Sequence, residues 1–352
     1  MKRNYGIDLL RPVLMLMVCM LHFLGHGGIL SSCSPGTASF AVYWLLETIC
    51  YCAVDVFALI SGFTATGRPQ KLGKIISMWF QAFFYSFIVS AIFYFAGVDT
   101  GAGVKTVIKD LMPVTFGAFW YFTAYFALFF AMPLLDRIIF SVNETEAKRI
   151  ILTSFVLFSV MSTLVDPFKL SNGYSALWIM LLYLIGGLSR KIRLFEQRRS
   201  STLLLWLVGS VSLSWLSELI SHGGLLLRYV SPLVLLNALI MLRLFSRLTP
   251  NERLVRAISP LAFGVYLFQM NRIMWDYVIK DRLGFVVGVE LWRGVLIVFA
   301  AAAALFLAGL AVEFVRARLA ALLRIDRLSA LIAGIIEHFV DKICGKEYVE
   351  SV

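Results

Sequence analysis

Ten apolar runs divide the chain, near residues 9–28, 41–63, 76–97, 116–135, 150–166, 174–189, 200–219, 226–245, 260–279 and 292–312. Charged or Gly- and Pro-rich stretches separate them. A helix that crosses a bilayer needs about 20 predominantly apolar residues. The pattern therefore predicts ten transmembrane helices joined by short loops, the longest outer loop being 98–115. From 313 onward the pattern changes. Leu328, Leu331, Ile332, Ile335, Phe339 and Ile343 recur at helical spacing, with Arg324, Arg327, Glu337, Asp341 and Lys342 at other positions. This predicts an amphipathic helix lying on the inner leaflet. The chain thus divides into a transmembrane domain over 1–312 and a cytoplasmic amphipathic tail over 313–352.

Composition supports the same class. Of 352 residues, 60% are hydrophobic and 15% charged, and the mean hydropathy is +0.84. Soluble domains run at roughly 45–50% apolar and about 25% charged. A soluble enzyme, a disordered chain and a secreted disulfide scaffold are excluded, which leaves an all-α, polytopic membrane protein with membrane lipids around it. The net charge of +11 needs no nucleic-acid partner, because cytoplasmic loops collect Lys and Arg. With the N-terminus inside, the inner segments hold Lys2, Arg3, Arg68, Lys71, Lys74, Arg190, Lys191, Arg243 and Arg247, and the tail adds Arg316, Arg318 and Lys346. That asymmetry predicts N-in and C-in. No small-residue cleavage pattern follows the first run, so it reads as a retained span. Cys19, Cys50 and Cys52 lie within apolar runs and read as buried hydrophobes. Cys33 and Cys344 have no metal-ligand spacing around them.

Ionisable residues inside spans are costly and therefore informative. The first span carries Asp8, Arg11, His22 and His26. Arg11 and His22 are eleven positions apart, about three helical turns, so they share a face some 16 Å apart along the axis. Singly, each has a bland explanation: an Arg that snorkels at the edge and a hydrogen-bonded interior His. Together they suggest a polar pathway across the membrane. The second span holds Glu47 and Asp55, eight apart and roughly on one face. Glu47 falls at about the depth of His22 and could orient it, as carboxylates orient imidazoles, or could pair with another span. Lys71 and Lys74 could bind cofactor phosphates, or could be ordinary inner-face anchors. Trp120, Tyr121 and Tyr125 could line a sugar site or form an interfacial belt. Gln269, Asn271, Arg272 and Asp276 cluster in the ninth span, where Arg272 and Asp276 are spaced to neutralise each other. His22 and His26 form a His-x-x-x-His pair without the intervening Glu of zinc proteases, and no metal is expected.

Four segments carry a resemblance to a known family. IDLLRPVLMLMVCMLH (Ile7 to His22), DVFALISGF at 55–63, FWYFTAYFALFFAMPLL at 119–135 and FGVYLFQ at 263–269 resemble, in order, segments of the acyltransferase family 3 membrane proteins. The resemblance implies a multi-pass O-acyltransferase of a bacterial cytoplasmic membrane. Such an enzyme moves an acyl group, usually acetyl, from cytoplasmic acyl-CoA to a hydroxyl of a cell-surface glycan or a related lipid-linked sugar. It also implies that Arg11 and His22 are the essential pair. On this reading His22, Arg11 and Glu47 are the catalytic candidates. Arg11, Lys71 and Lys74 would hold acyl-CoA, which serves as co-substrate with no resident cofactor. Asp55, Trp120, Tyr121, Gln269 and Arg272 are the acceptor-binding candidates. Two departures stand out: the family often has His where Gln269 stands, and arginines where Lys71 and Lys74 stand. A transporter or flippase of a lipid-linked sugar is the rival reading, since the same polar face could line a passage.

Overall fold

The computed structural model of the protein describes residues 3–99, 101, 103–222 and 224–343. Lys2, Cys344 and Lys346 lie outside the described residues. The described chain is helical throughout, with no strand. Among the described residues, seven helices are long and apolar enough to cross a membrane: α1 (Tyr5–Ser32), α2 (Ala38–Ala65), α3 (Leu72–Phe95), α4 (Trp120–Ser141), α5 (Glu144–Leu164), α7 (Ser200–Ser221) and α10 (Leu291–Leu322). The other apolar runs form shorter elements: α6 (Ala176–Lys191), α8 (Pro232–Ser246) and α9 (Ala262–Gln269). After α9 the helical path breaks at Met270 and Asn271 and resumes at Arg272. The Asn271 side chain accepts hydrogen bonds from the Ile273 and Met274 amides and so caps the restart. The run expected to end near 312 instead continues as helix to Leu322.

The core of the bundle is the α2–α6 pair. Trp178 on α6 donates its indole N–H to Asp55 on α2 at 3.1 Å. Further along, Arg190 donates to the Phe63 carbonyl at 3.0 Å. Both contacts advance in the same direction, so the helices run parallel. Their backbones touch: a Cβ on Gly62 would stand 1.9 Å from the Tyr183 carbonyl oxygen, and one on Gly186 would stand 2.3 Å from that of Leu59. Small residues are what permit such approach between apolar helices, where van der Waals packing must replace the hydrophobic drive. Helix α4 joins the pair through Asp136, which accepts hydrogen bonds from the Tyr183 hydroxyl at 2.7 Å and from the Gly67 amide at 3.2 Å. A second buried polar node ties α3 to α10. Glu313 takes two bonds from Arg316 at 2.7 Å each, one from the Tyr85 hydroxyl at 2.9 Å and one from Gln81 at 3.1 Å. The buried Glu313 is thus paired with a cation and hydrogen-bonded, as burial of a charge demands.

The amphipathic tail forms helix α11 (Ile325–Ile343). Its small residues face α3: Ser329 and Ala333 are buried, and Ser77 donates to Asp326 at 2.9 Å. Leu331, Ile335, Phe339 and Ile343 remain exposed on the outer face.

The backbone contact at α2–α6 makes a sharp expectation. Gly186→Leu should lower the Tm of the detergent-solubilised protein, because overpacking costs about 1–3 kcal/mol even where side chains can give way, and here the obstacle is backbone. Gly209→Leu on α7, where a Cβ meets nothing within 4 Å, should leave Tm within error of the parent. Equal melting of the two variants would contradict the packing.

Candidate active site

Helix α1 sets out the site along its length. Near its start Asp8 receives ion pairs from both Arg3 and Arg11. The hydrogen bond from Arg3 to Asp8 holds the Arg3 guanidinium pKa above its ordinary value. Eleven residues beyond Arg11, α1 passes into a π-helical turn, His22–His26. Such turns carry an extra residue per turn and occur often at functional sites. The end of this turn is fixed by the 281–283 segment, whose amides donate to the His26 and Gly27 carbonyls at 3.0 and 2.8 Å. A second π-helical turn, Trp275–Ile279, brings Trp275 against both imidazoles, with ring centroids 5.2 Å from His22 and 4.7 Å from His26.

His22 Nδ1 lies 3.1 Å from Gln269 Oε1, and Gln269 Nε2 donates to the Met15 sulfur at 3.3 Å. With the amide oxygen as acceptor, Nδ1 carries the ring proton and Nε2 keeps its lone pair. His22 is thereby set up to accept a proton at Nε2.

The face of α1 that bears these groups borders a cavity of about 1160 Å³. Drug-sized ligands occupy pockets of roughly 300–1,000 Å³, so the space accommodates more than one small substrate. Its lining is divided. One end presents Arg3, Arg11, Arg68, Lys71 and Lys74, with Asp8 as its acid. The other presents Tyr51, Trp120, Tyr121, Tyr174 and Tyr229, with Glu47 and both histidines. Helix α4 measures the separation. Asp136 bonds to Gly67 at the basic end, and Trp120, where α4 begins, packs 4.6 Å from Tyr174 at the aromatic end. Sixteen residues of helix lie between, about 24 Å.

Seven of the ten catalytic, donor-binding and acceptor-binding candidates line this cavity: His22, Arg11, Glu47, Lys71, Lys74, Trp120 and Tyr121. Three do not. Asp55 is fully buried, and its carboxylate is engaged by Trp178 between α2 and α6. Gln269 is also fully buried and stands behind His22 rather than in front of a substrate. Arg272 pairs with Asp110 at 3.7 Å, on the helix Val104–Leu111 of the long loop, instead of the Asp276 its spacing suggested. Burial raises the Asp110 carboxyl pKa, and Arg272 pulls the other way. Glu47 approaches the His22 turn, its Oε1 3.8 Å from where a Gly25 Cβ would be, but the hydrogen bond of His22 goes to Gln269. Asp8 was named among the ionisable residues of the first span but given no role, although it precedes Arg11 by three residues on one helix face. Sequence reasoning missed other contributors. Tyr174 and Tyr229 precede helices, and Tyr51 lies where α2 is interrupted at 51–52; no periodicity marks them.

Comparison with protein families gives one match: the family model described as an acyltransferase domain covers residues 4–315. The chain belongs to that family. Neither the curated proteins nor the solved structures give a match. The matched region contains every residue lining the cavity except Arg3.

If Gln269 sets the His22 tautomer, Gln269→Leu should slow acyl transfer about tenfold, the worth of one lost hydrogen bond, while donor KM changes little. Turnover equal to the parent at matched protein amounts would show that the ring needs no such partner.

Proposed function

We propose that this family member transfers an acyl group, acetyl in the usual case, from cytoplasmic acyl-CoA to a hydroxyl of a cell-surface glycan or lipid-linked sugar. The observation that carries this reading is the divided cavity: a cationic end, and an aromatic end that also bears a histidine with a free Nε2. Five cations against one acid suit the phosphates of coenzyme A. Lysines bind phosphate as point charges and arginines as a fork, so Arg11 and Arg68 fix orientation where Lys71 and Lys74 supply attraction. The Lys and Arg asymmetry along the chain supports an N-in, C-in chain in a bacterial cytoplasmic membrane, with the basic end toward the cytoplasm. The donor then enters from the side where acyl-CoA is made.

In the proposed reaction His22 Nε2 takes the proton from the acceptor hydroxyl as its oxygen attacks the thioester carbonyl. The C–S bond of the tetrahedral intermediate breaks. The imidazolium returns its proton to the departing thiolate, which leaves as free coenzyme A. Gln269 holds the ring throughout. Arg11, oriented by Asp8, holds the donor.

His22→Ala should lower acetyl-CoA consumption by purified protein in the presence of acceptor by roughly 10²–10⁴-fold, the usual range for a general base, with membrane insertion intact. Parent-level product formation by His22→Ala would remove the mechanism. Movement of a lipid-linked sugar across proteoliposomes without acyl-CoA consumption would favour the transporter instead.

A further inference from the structure

Helix α11 lies beyond residue 315, where the match to the acyltransferase family ends, so membership of the family assigns it no role. It packs along the first turns of α3, and no other helix packs as extensively on Leu72–Phe83. Those turns present two rows. Lys71, at the cap of α3, and Lys74, Met78 and Gln81 recur at spacings of three and four and line the cavity. Gly73 and Ser77, on a neighbouring row, meet α11. A Cβ on Gly73 would stand 3.4 Å from the Ala330 Cα, and Ser77 donates to Asp326 at 2.9 Å. Advancing along α3 means retreating along α11, so the two helices run antiparallel. The turns that carry the donor-binding lysines on one face thus rest on α11 with another.

The surface of α11 away from α3 is sorted by charge. Successive residues of a helix are turned by about 100°. Measured from Ile335, the exposed Leu328, Leu331, Phe339 and Ile343 fall within about 80° and form one apolar stripe. The buried Ser329 and Ala333 fall about 120° and 160° away, toward α3. Asp326, Glu337 and Asp341 fall about 120–180° from Ile335, whereas Lys342 and Arg327 fall only about 20° and 80° from it. The cations therefore border the stripe and the acids avoid it. Helix α10 passes the chain to α11 through Leu323 and Arg324 alone, so α11 starts where a span ends. An apolar stripe flanked by Lys and Arg at that level fits a bilayer surface with anionic headgroups. A second copy of the chain fits it less well, because the acids of its own α11 lie on the far side of the helix.

We infer that α11 seats its apolar stripe in the inner leaflet, with Arg327 and Lys342 at anionic phospholipid headgroups, and from there braces the start of α3 so that Lys71 and Lys74 face the donor. Ser329 and Ala333 are the positioning residues of this brace: they are small enough to let α11 lie against the Gly73 turn. The inference rests on the proposed reaction only in taking acyl-CoA as the ligand of the two lysines. The seating of α11 and its hold on α3 stand apart from that reaction. Higher on α3 the Glu313 node fixes Gln81 and Tyr85, so the brace acts on the turns below them.

The test uses the full chain in nanodiscs of phosphatidylcholine with phosphatidylglycerol. A nitroxide on Ile335→Cys, with Cys344→Ser, should be relaxed by oxygen, which partitions into lipid, and not by a water-soluble nickel chelate; the other cysteines are buried. Ile335→Glu with Phe339→Glu, both at exposed positions, should speed amide hydrogen exchange over 72–77 and in α11, and leave exchange in the α2–α6 pair at the parent rate. Ser329→Leu keeps the stripe and parts α11 from α3, and should also speed exchange over 72–77. In both variants coenzyme A should bind roughly tenfold more weakly, because two charge-assisted contacts loosen, and donor KM should rise with kcat little changed. Discs of phosphatidylcholine alone should speed exchange over 72–77 in the parent, and should add nothing in Arg327→Gln with Lys342→Gln. The inference is overturned by a label at 335 open to the nickel chelate, or by exchange over 72–77 unchanged in both variants. Coenzyme A affinity at the parent value in a variant with 72–77 loosened, or a parent dimer that the double glutamate variant splits, also overturns it. Failure of the proposed reaction reads differently: the label and the exchange behave as stated, yet the parent binds no coenzyme A.

Discussion

An apolar helix that carries an aspartate, an arginine and two histidines is tolerable inside a membrane only if those groups share a polar interior. Helix α1 is such a helix, and the rest of the bundle is arranged to give its polar face something to border. Asp8 pairs with two arginines at one end. Gln269 and Trp275 hold the imidazole at the other. Between them the wall is left open to a cavity instead of being filled by a neighbouring helix. The backbone contact of α2 with α6, made through Gly62 and Gly186, gives this open space a close-packed flank, and Asp136 links α4 to the same flank.

The partner chosen for His22 has chemical consequences. A carboxylate at Nδ1 would orient the ring and also supply charge to the imidazolium. An amide only orients it. On the proposed reaction, the positive charge that forms on His22 would have to be balanced from within the cavity, by the thiolate it reprotonates or by the nearby Glu47. A proton taken under these conditions is one the ring readily hands on, which suits a base that must return it to the leaving group. Glu47 is released from the role of orienting His22, although it lines the same cavity.

Much of this was readable in the chain. The all-helical membrane class followed from hydropathy alone, because ten apolar runs leave no other way to satisfy the backbone. The shared face of Arg11 and His22 followed from helical geometry, as did the basic cluster after α2. What sequence could not supply was contact between spans. Gln269 is 247 positions from His22, and nothing local distinguishes an amide facing substrate from one holding a base. Asp55 looked like a site residue because it is an acid in an apolar run, yet Trp178 uses it to join two helices. Arg272 was paired by spacing with Asp276, but the break at Met270 and Asn271 redirects it to Asp110. In α11 the sequence pattern marked the apolar stripe, which is exposed, but not the small residues Ser329 and Ala333 that pack on the bundle.

The separation of the two ends of the cavity constrains the donor. Phosphates held at Arg11, Arg68, Lys71 and Lys74 sit some three helical turns from His22, about 16 Å along α1. A substrate whose reactive carbon lay next to its charges could not bridge that gap without dragging anionic groups past the apolar side chains of Met15 and Val18, which line the intervening wall. Acyl-CoA can bridge it, because an uncharged, flexible arm separates its phosphates from its thioester. The arm may pass where the charges cannot, since moving an ion into an apolar surround costs far more than moving an amide that can find a hydrogen bond. On the proposed reaction, the same division keeps the acceptor at the far end, where aromatic surface replaces charge, so that donor and acceptor meet only at the histidine of that end.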